Sequence, residues 1–156
     1  MAAEGNRPGA FILEVAGSGR NVATTFAKYI TSQKGRIANL ETLYADISIS
    51  ASLLTDLGTI INKYENDVYI RDDITRPICE ICATHFEKLQ VVLREAAETG
   101  MWKSDGGVNV WVLFCTALGG LREAAELCRR IESTRHSLLL LADTIKYTIF
   151  KKLNEE

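Results

Sequence analysis

The sequence predicts an all-α protein, a four-helix-bundle-like, up-and-down arrangement that ends in a long C-terminal helix. Three observations predict it. Apolar residues recur at steps of three and four over most of the chain, the spacing of one helix face, and no stretch alternates at period two with conviction. Only two of the 156 residues are proline, and Pro8 lies in the N-terminal lead, so long helices can run uninterrupted. The polar links between the periodic stretches are short, which favours antiparallel neighbours.

Residues 1–8 read as a disordered lead and residues 9–156 as a single helical bundle domain, a length that suits one hydrophobic core rather than two. The first helical stretch, Gly9 to Ser32, carries Phe11, Ile12, Leu13, Val15, Val22, Phe26 and Ile30. Gly17-Ser18-Gly19 is its weak point, so the expectation is one helix with an irregular middle or two short ones. After Gly35, the positions Ile37, Leu40, Tyr44, Ile47, Ala51, Leu54, Gly58 and Ile61 keep a heptad register, widened by Leu43, Leu53, Leu57 and Ile60. Glu65 to Asp73 is a connection whose apolar middle, Val68-Tyr69-Ile70, docks on the bundle. A third helix is expected near Thr75, with Thr75 as its cap and Pro77 in its first turn. Ile78, Cys82, Phe86, Leu89, Leu93 and Ala96 mark its inner face, and Gly100 ends it. Met101 to Val108 forms a surface loop. The last stretch, about Trp111 to Phe150, is expected as one long helix with an inner stripe of Trp111, Phe114, Leu118, Leu121, Ala125, Cys128, Ile131, Leu138, Ala142, Ile145 and Ile149, bending if anywhere at Gly119-Gly120.

A composition of 47% hydrophobic and 24% charged residues is that of an ordinary globular protein, and a net charge of −2 gives no basic excess for nucleic acid. The four cysteines, Cys79, Cys82, Cys115 and Cys128, fall on or beside apolar helical positions. With no signal peptide and no apolar run long enough to span a bilayer, the expectation is reduced thiols in a cytoplasmic protein.

Motifs that carry chemistry are few. Cys79-x-x-Cys82-x-x-His85 has the look of a metal clip, but zinc needs four matched ligands, and Cys115, Cys128 and His136 lie elsewhere. Gly17-Ser18-Gly19-Arg20 lacks the third glycine of a dinucleotide fingerprint and the Lys-Ser/Thr of a P-loop. His85 and His136 have no nucleophile or acid spaced to complete a catalytic set. The expectation is therefore a protein that is not an enzyme and needs no metal or cofactor.

Interaction surfaces are the remaining possibility. Trp102 and Trp111 flank the glycine loop, and with Phe114, Arg129 and Arg130 they form the candidate contact set, since aromatics and arginines anchor interfaces. The last helix also carries intrahelical pairings, Glu126 to Arg130 and Glu132 to Arg135. Phe11, Ile12 and Leu13, within Phe11-Ile12-Leu13-x-Val15-Ala16, are the candidate membrane-contact residues.

The order of features resembles a known group. Ser32-Gln33-Lys34-Gly35-Arg36-Ile37-Ala38-Asn39-Leu40 and Asp46-Ile47-Ser48-Ile49-Ser50-Ala51-Ser52-Leu53-Leu54 are similar to the second helix of fungal N-terminal helical domains found ahead of NACHT and other STAND-type regulators, which are themselves HeLo-like bundles. Cys82-x-x-x-Phe86-x-x-Leu89-x-x-x-Leu93 resembles their third helix, and Trp111 with Ser137-Leu138-Leu139-Leu140-Leu141 their closing tryptophan and leucine-rich last helix. The apolar Val112-Leu113-Phe114-Cys115 and the Gly119-Gly120 pair depart from that pattern. The resemblance implies a module at the head of a longer chain that self-associates or recruits protein partners as a signalling scaffold. As an alternative, it implies a membrane-acting effector using the N-terminal apolar helix.

Overall fold

A computed structural model describes residues 7–32, 38–99 and 110–155. Five helices and no strand occur among them: α1 Pro8–Ser32, α2 Ala38–Tyr64, α3 Asp72–Thr99, α4 Val110–Ala117 and α5 Leu121–Asn154. Gly35, Trp102 and the glycine loop lie outside the described residues. The principal contacts run α1 to α2 and α3, and α5 to α2 and α3, which sets α1 diagonal to α5. Short α4 lies against α3 and α5.

The four long helices alternate in direction. Along α1, Gly9, Leu13 and Gly19 meet Asn62, Gly58 and Ala51 of α2 in reverse order, so the two are antiparallel. Phe11 meets Arg76 and Gly19 meets Phe86, so α1 and α3 run the same way. The up-and-down bundle expected from the short links is the architecture found.

The α1–α2 seam depends on glycine. A Cβ on Gly58 would lie 2.8 Å from Leu13 Cγ, and one on Gly19 would lie 3.1 Å from Ala51 Cβ of α2 and 2.8 Å from the Phe86 ring of α3. Gly19 therefore permits close helix approach rather than breaking α1, which runs without interruption across Gly17-Ser18-Gly19.

On α2 the heptad positions Leu40, Ile47, Ala51, Leu54 and Ile61 are buried, with Leu43 and Leu57 of the widened stripe, while Tyr44 is half-buried and Ile37 lies outside the described residues. In the link that follows, Val68 and Ile70 are buried while Tyr69 points out. Helix α3 begins three residues before the expected cap. Thr75 lies inside it, with both its N–H and its hydroxyl bonded to the Arg71 carbonyl (3.3 and 2.5 Å). Asp72 and Asp73 thus occupy the first turn, where carboxylates suit the helix dipole, and Pro77 falls in the second turn.

The expected single last helix is instead two. Gly119 N–H bonds Thr116 O at 3.0 Å and Gly120 N–H bonds Cys115 O at 2.8 Å, the paired bonds of a Schellman terminus, with Gly119 at φ 108°. Gly120, at φ 129°, then serves as the N-cap of α5, and its carbonyl accepts from Ala124 N–H at 3.0 Å. The corner resets the helical phase. Leu121 and Ala125 are exposed and Cys128 is half-buried, while Ala124, Leu127 and Ile131 take the inner positions. Beyond Ile131 the expected stripe returns with Leu138, Ala142, Ile145 and Ile149.

Candidate interaction face

The sequence-predicted contact residues do not all share one surface. Phe114 is fully buried, its ring edge-on to Phe26 at 5.6 Å and 74°, so it belongs to the core and not to a partner surface. Trp111 lies on α4, but its side chain is outside the described set, as is all of Trp102. Arg129 and Arg130 are exposed on α5. Successive residues diverge by about 100° round a helix. Arg129 therefore leans toward the cleft between α2 and α5, with Asp46 and Glu132, and Arg130 toward the groove shared with Ile81, Thr84 and His85 of α3, while both border a shallow hollow between them with Ser133 and His136. Arg130 makes the expected pair with Glu126 at 2.6 Å.

Arg135 does not pair as expected with Glu132. It reaches across to Asp46 of α2 at 2.9 Å, with Arg135 23% and Asp46 13% exposed. Its Nε lacks a well-aligned hydrogen bond despite that distance, so the contact is chiefly one of charge. It occupies the middle of the α2–α5 seam, where the buried series on α5 passes from Ile131 to Leu138 with nothing buried between.

The predicted membrane residues are also in place in the bundle. Ile12 is 1% exposed, which removes it from any open membrane-contact surface. Leu13 packs under Gly58, and Phe11 is partly covered, with the Arg76 guanidinium 4.6 Å from its ring centroid. No helix among the described residues is long and apolar enough to cross a membrane.

The Cys79, Cys82 and His85 set is buried in the α3 core face. Burial pushes the thiols of Cys79 and Cys82 up to about 12 and that of half-buried Cys128 up to about 11, which suppresses the thiolate needed for nucleophilic or metal chemistry. Burial also lowers the pKa of His85, helped by the positive charges of Arg130 and Lys88. No group of three or more His, Cys, Asp or Glu side chains is placed to hold a metal among the described residues.

What sequence reasoning missed is the outer face of α5. Leu139 (45% exposed), Leu140 (70%), Tyr147 (64%), Phe150 (67%) and Leu153 (40%) are large apolar side chains open to solvent. At about 100° per residue Leu140 and Tyr147 lie nearly opposite Leu138, Leu141, Ala142, Ile145 and Ile149, which face the core, Leu139 and Phe150 lie on the flank between, and Leu153 is open because it follows the last buried residue. Every described residue after Ile149 is exposed, so the helix outruns its own bundle by its last turn. The signal was present in the sequence: once the inner stripe is assigned, the leftover apolar residues form a second stripe with its own helical spacing.

No protein-family model, curated protein or solved structure matches this chain.

Proposed function

We propose that this chain is a non-enzymatic protein-interaction and self-association module, a scaffold or signalling adaptor domain of the cytoplasm, with the outer face of α5 as its contact surface. The single observation that carries this reading is the set of exposed Leu139, Leu140, Tyr147, Phe150 and Leu153 on a helix already anchored by Leu138, Leu141, Ala142, Ile145 and Ile149. Large apolar side chains gathered on one face of a folded protein mark a contact site, and aromatic residues dominate the energetics of such sites. Deeply buried thiols with suppressed thiolate character support the absence of catalysis, and the resemblance to fungal STAND-associated helical domains points the same way.

The test is the mass in solution by light scattering after size exclusion, over a wide concentration range, for the wild type and for the double variant Leu140→Glu/Phe150→Glu. The expected result is a wild-type species heavier than a monomer that reverts to monomer in the variant, with helicity unchanged. A wild type that stays monomeric at every concentration removes the self-association reading. Flotation of that monomer with anionic liposomes would instead turn attention to a lipid surface.

A further inference from the structure

The geometry points to an antiparallel, two-fold dimer in which the outer face of α5 packs against the same face of a second copy of this chain. This rests on the self-association reading and adds its partner, orientation and register.

The outer face carries a heptad register of its own. His136, Leu139, Asp143, Lys146, Phe150 and Leu153 follow steps of three, four, three, four and three, and all six are exposed. This is the a/d spacing of a helix seam, and at about 100° per residue it runs along the flank of the buried row, in the sector that also carries Glu132 and Arg135. Leu140 and Tyr147 widen the seam along one edge.

The order of residues along the seam selects the orientation. In an antiparallel pair with its two-fold axis between residues 144 and 145, Leu139 meets Phe150 of the other copy and His136 meets Leu153. Asp143 then meets Lys146, and by symmetry Lys146 meets Asp143. Two apolar layers thus flank a centre of two complementary charge pairs. A parallel, in-register pair would set Asp143 against Asp143 and Lys146 against Lys146, two adjacent like-charge layers at the middle of the seam. Complementarity in one orientation and repulsion in the other is how charged positions specify a helix pairing.

The dimensions agree with a reversible contact. Residues 136–153 span about 27 Å of helix at a rise of ~1.5 Å per residue. Two such faces bury on the order of 1,000 Å² in total, the lower end of specific interfaces, so the dimer should be concentration-dependent.

The experiment combines charge reversal with directed cross-linking, and both are read against the dissociation constant from sedimentation equilibrium. Asp143→Lys alone and Lys146→Asp alone should each weaken the dimer roughly tenfold to a hundredfold, by placing like charges in both central layers. The double variant Asp143→Lys/Lys146→Asp should recover wild-type affinity, because it only inverts each pair. Under mild oxidation, a mixture of Leu139→Cys and Phe150→Cys chains should form the mixed disulfide, while Leu139→Cys alone should not link to itself. The parental chain is the control for its native thiols, of which Cys79, Cys82 and Cys115 are buried and Cys128 is half-buried.

Linking of Leu139→Cys to itself would show a parallel seam and overturn the proposal. A dimer with neither cross-link, or one indifferent to the charge reversals, would place self-association on another surface, overturning this geometry while leaving the functional reading intact. A monomer at all concentrations would overturn both.

Discussion

The α1–α2 seam and the outer face of α5 are both apolar surfaces on long helices, yet they are built from opposite materials. The seam uses absence. Gly58 leaves no room for a Cβ beside Leu13, Gly19 sits tight on Ala51 of α2 and on the Phe86 ring of α3, and the Arg7–Glu65 ion pair and the Arg20 to Thr55 hydrogen bond stay at the edges. The outer face of α5 uses presence: big side chains raised into solvent, with Asp143 and Lys146 in their midst. The first arrangement fits a contact that is made once, during folding. The second fits a contact that forms and dissolves, because its large side chains and charges tolerate water when no partner is there.

The sharpest way to break that contrast is to fill the seam. Gly58→Val should destabilise the fold by about 3 kcal/mol, since the new atoms overlap both the side chain and the backbone nitrogen of Leu13. Urea unfolding checks this, and a variant as stable as wild type would show that the seam is looser than its glycine contacts indicate.

Between the two surfaces lies the Asp46–Arg135 pair, which fastens α5 to α2. Asp46→Ala should cost about 2 kcal/mol, below the range for fully buried pairs because Arg135 keeps some solvent contact. Arg135→Met, which fills the same space without charge, should cost clearly less. If the two substitutions proved equally damaging, the pair would matter for more than the charge left behind.

A pH dependence should arise from His85. Burial keeps its folded-state pKa below that of the unfolded chain, so the folded protein resists the proton that the unfolded one accepts. The stability held above the unfolded histidine pKa of about 6.5 should therefore decline as pH falls through and below that value. The slope should flatten in His85→Gln, as measured by thermal unfolding between pH 7 and pH 5.

The smallest expected effect on stability is at the outer face. Leu140→Glu and Phe150→Glu should each leave unfolding within about 0.5 kcal/mol of wild type. A larger loss would mean that these side chains serve the bundle itself, and the difference between the two surfaces would disappear.

Much of the bundle was legible because burial imposes a period. Leu40 to Ile61 on α2 and Cys82 to Ala96 on α3 were identified as inner faces from spacing alone, and those faces are buried. The failures have physical causes. Gly17-Ser18-Gly19 resembles a helix breaker in isolation, but Gly19 gains from the nearness of Phe86, a long-range fact no local window contains. Thr75 has the chemistry of a cap, yet the chain enters the helix at Asp72. Arg135 had a local acidic neighbour and took a distant one instead. At the proposed site, a search for tryptophans and arginines led toward the core residue Phe114. The exposed apolar residues of α5 are hard to tell from core by type alone, because an apolar residue on a helix more often faces inward.

The Gly119–Gly120 corner bears on how this chain tolerates changes in length. Inside α5, one inserted residue would turn everything beyond it by about 100° and carry Leu138, Ile145 and Ile149 off the core. At the corner, two residues with positive φ already separate the frames of α4 and α5, so an extra glycine there changes the linker and leaves both helical frames intact. Insertions and deletions, engineered or natural, should therefore be accepted at this punctuation mark and rejected throughout the thirty residues that follow it.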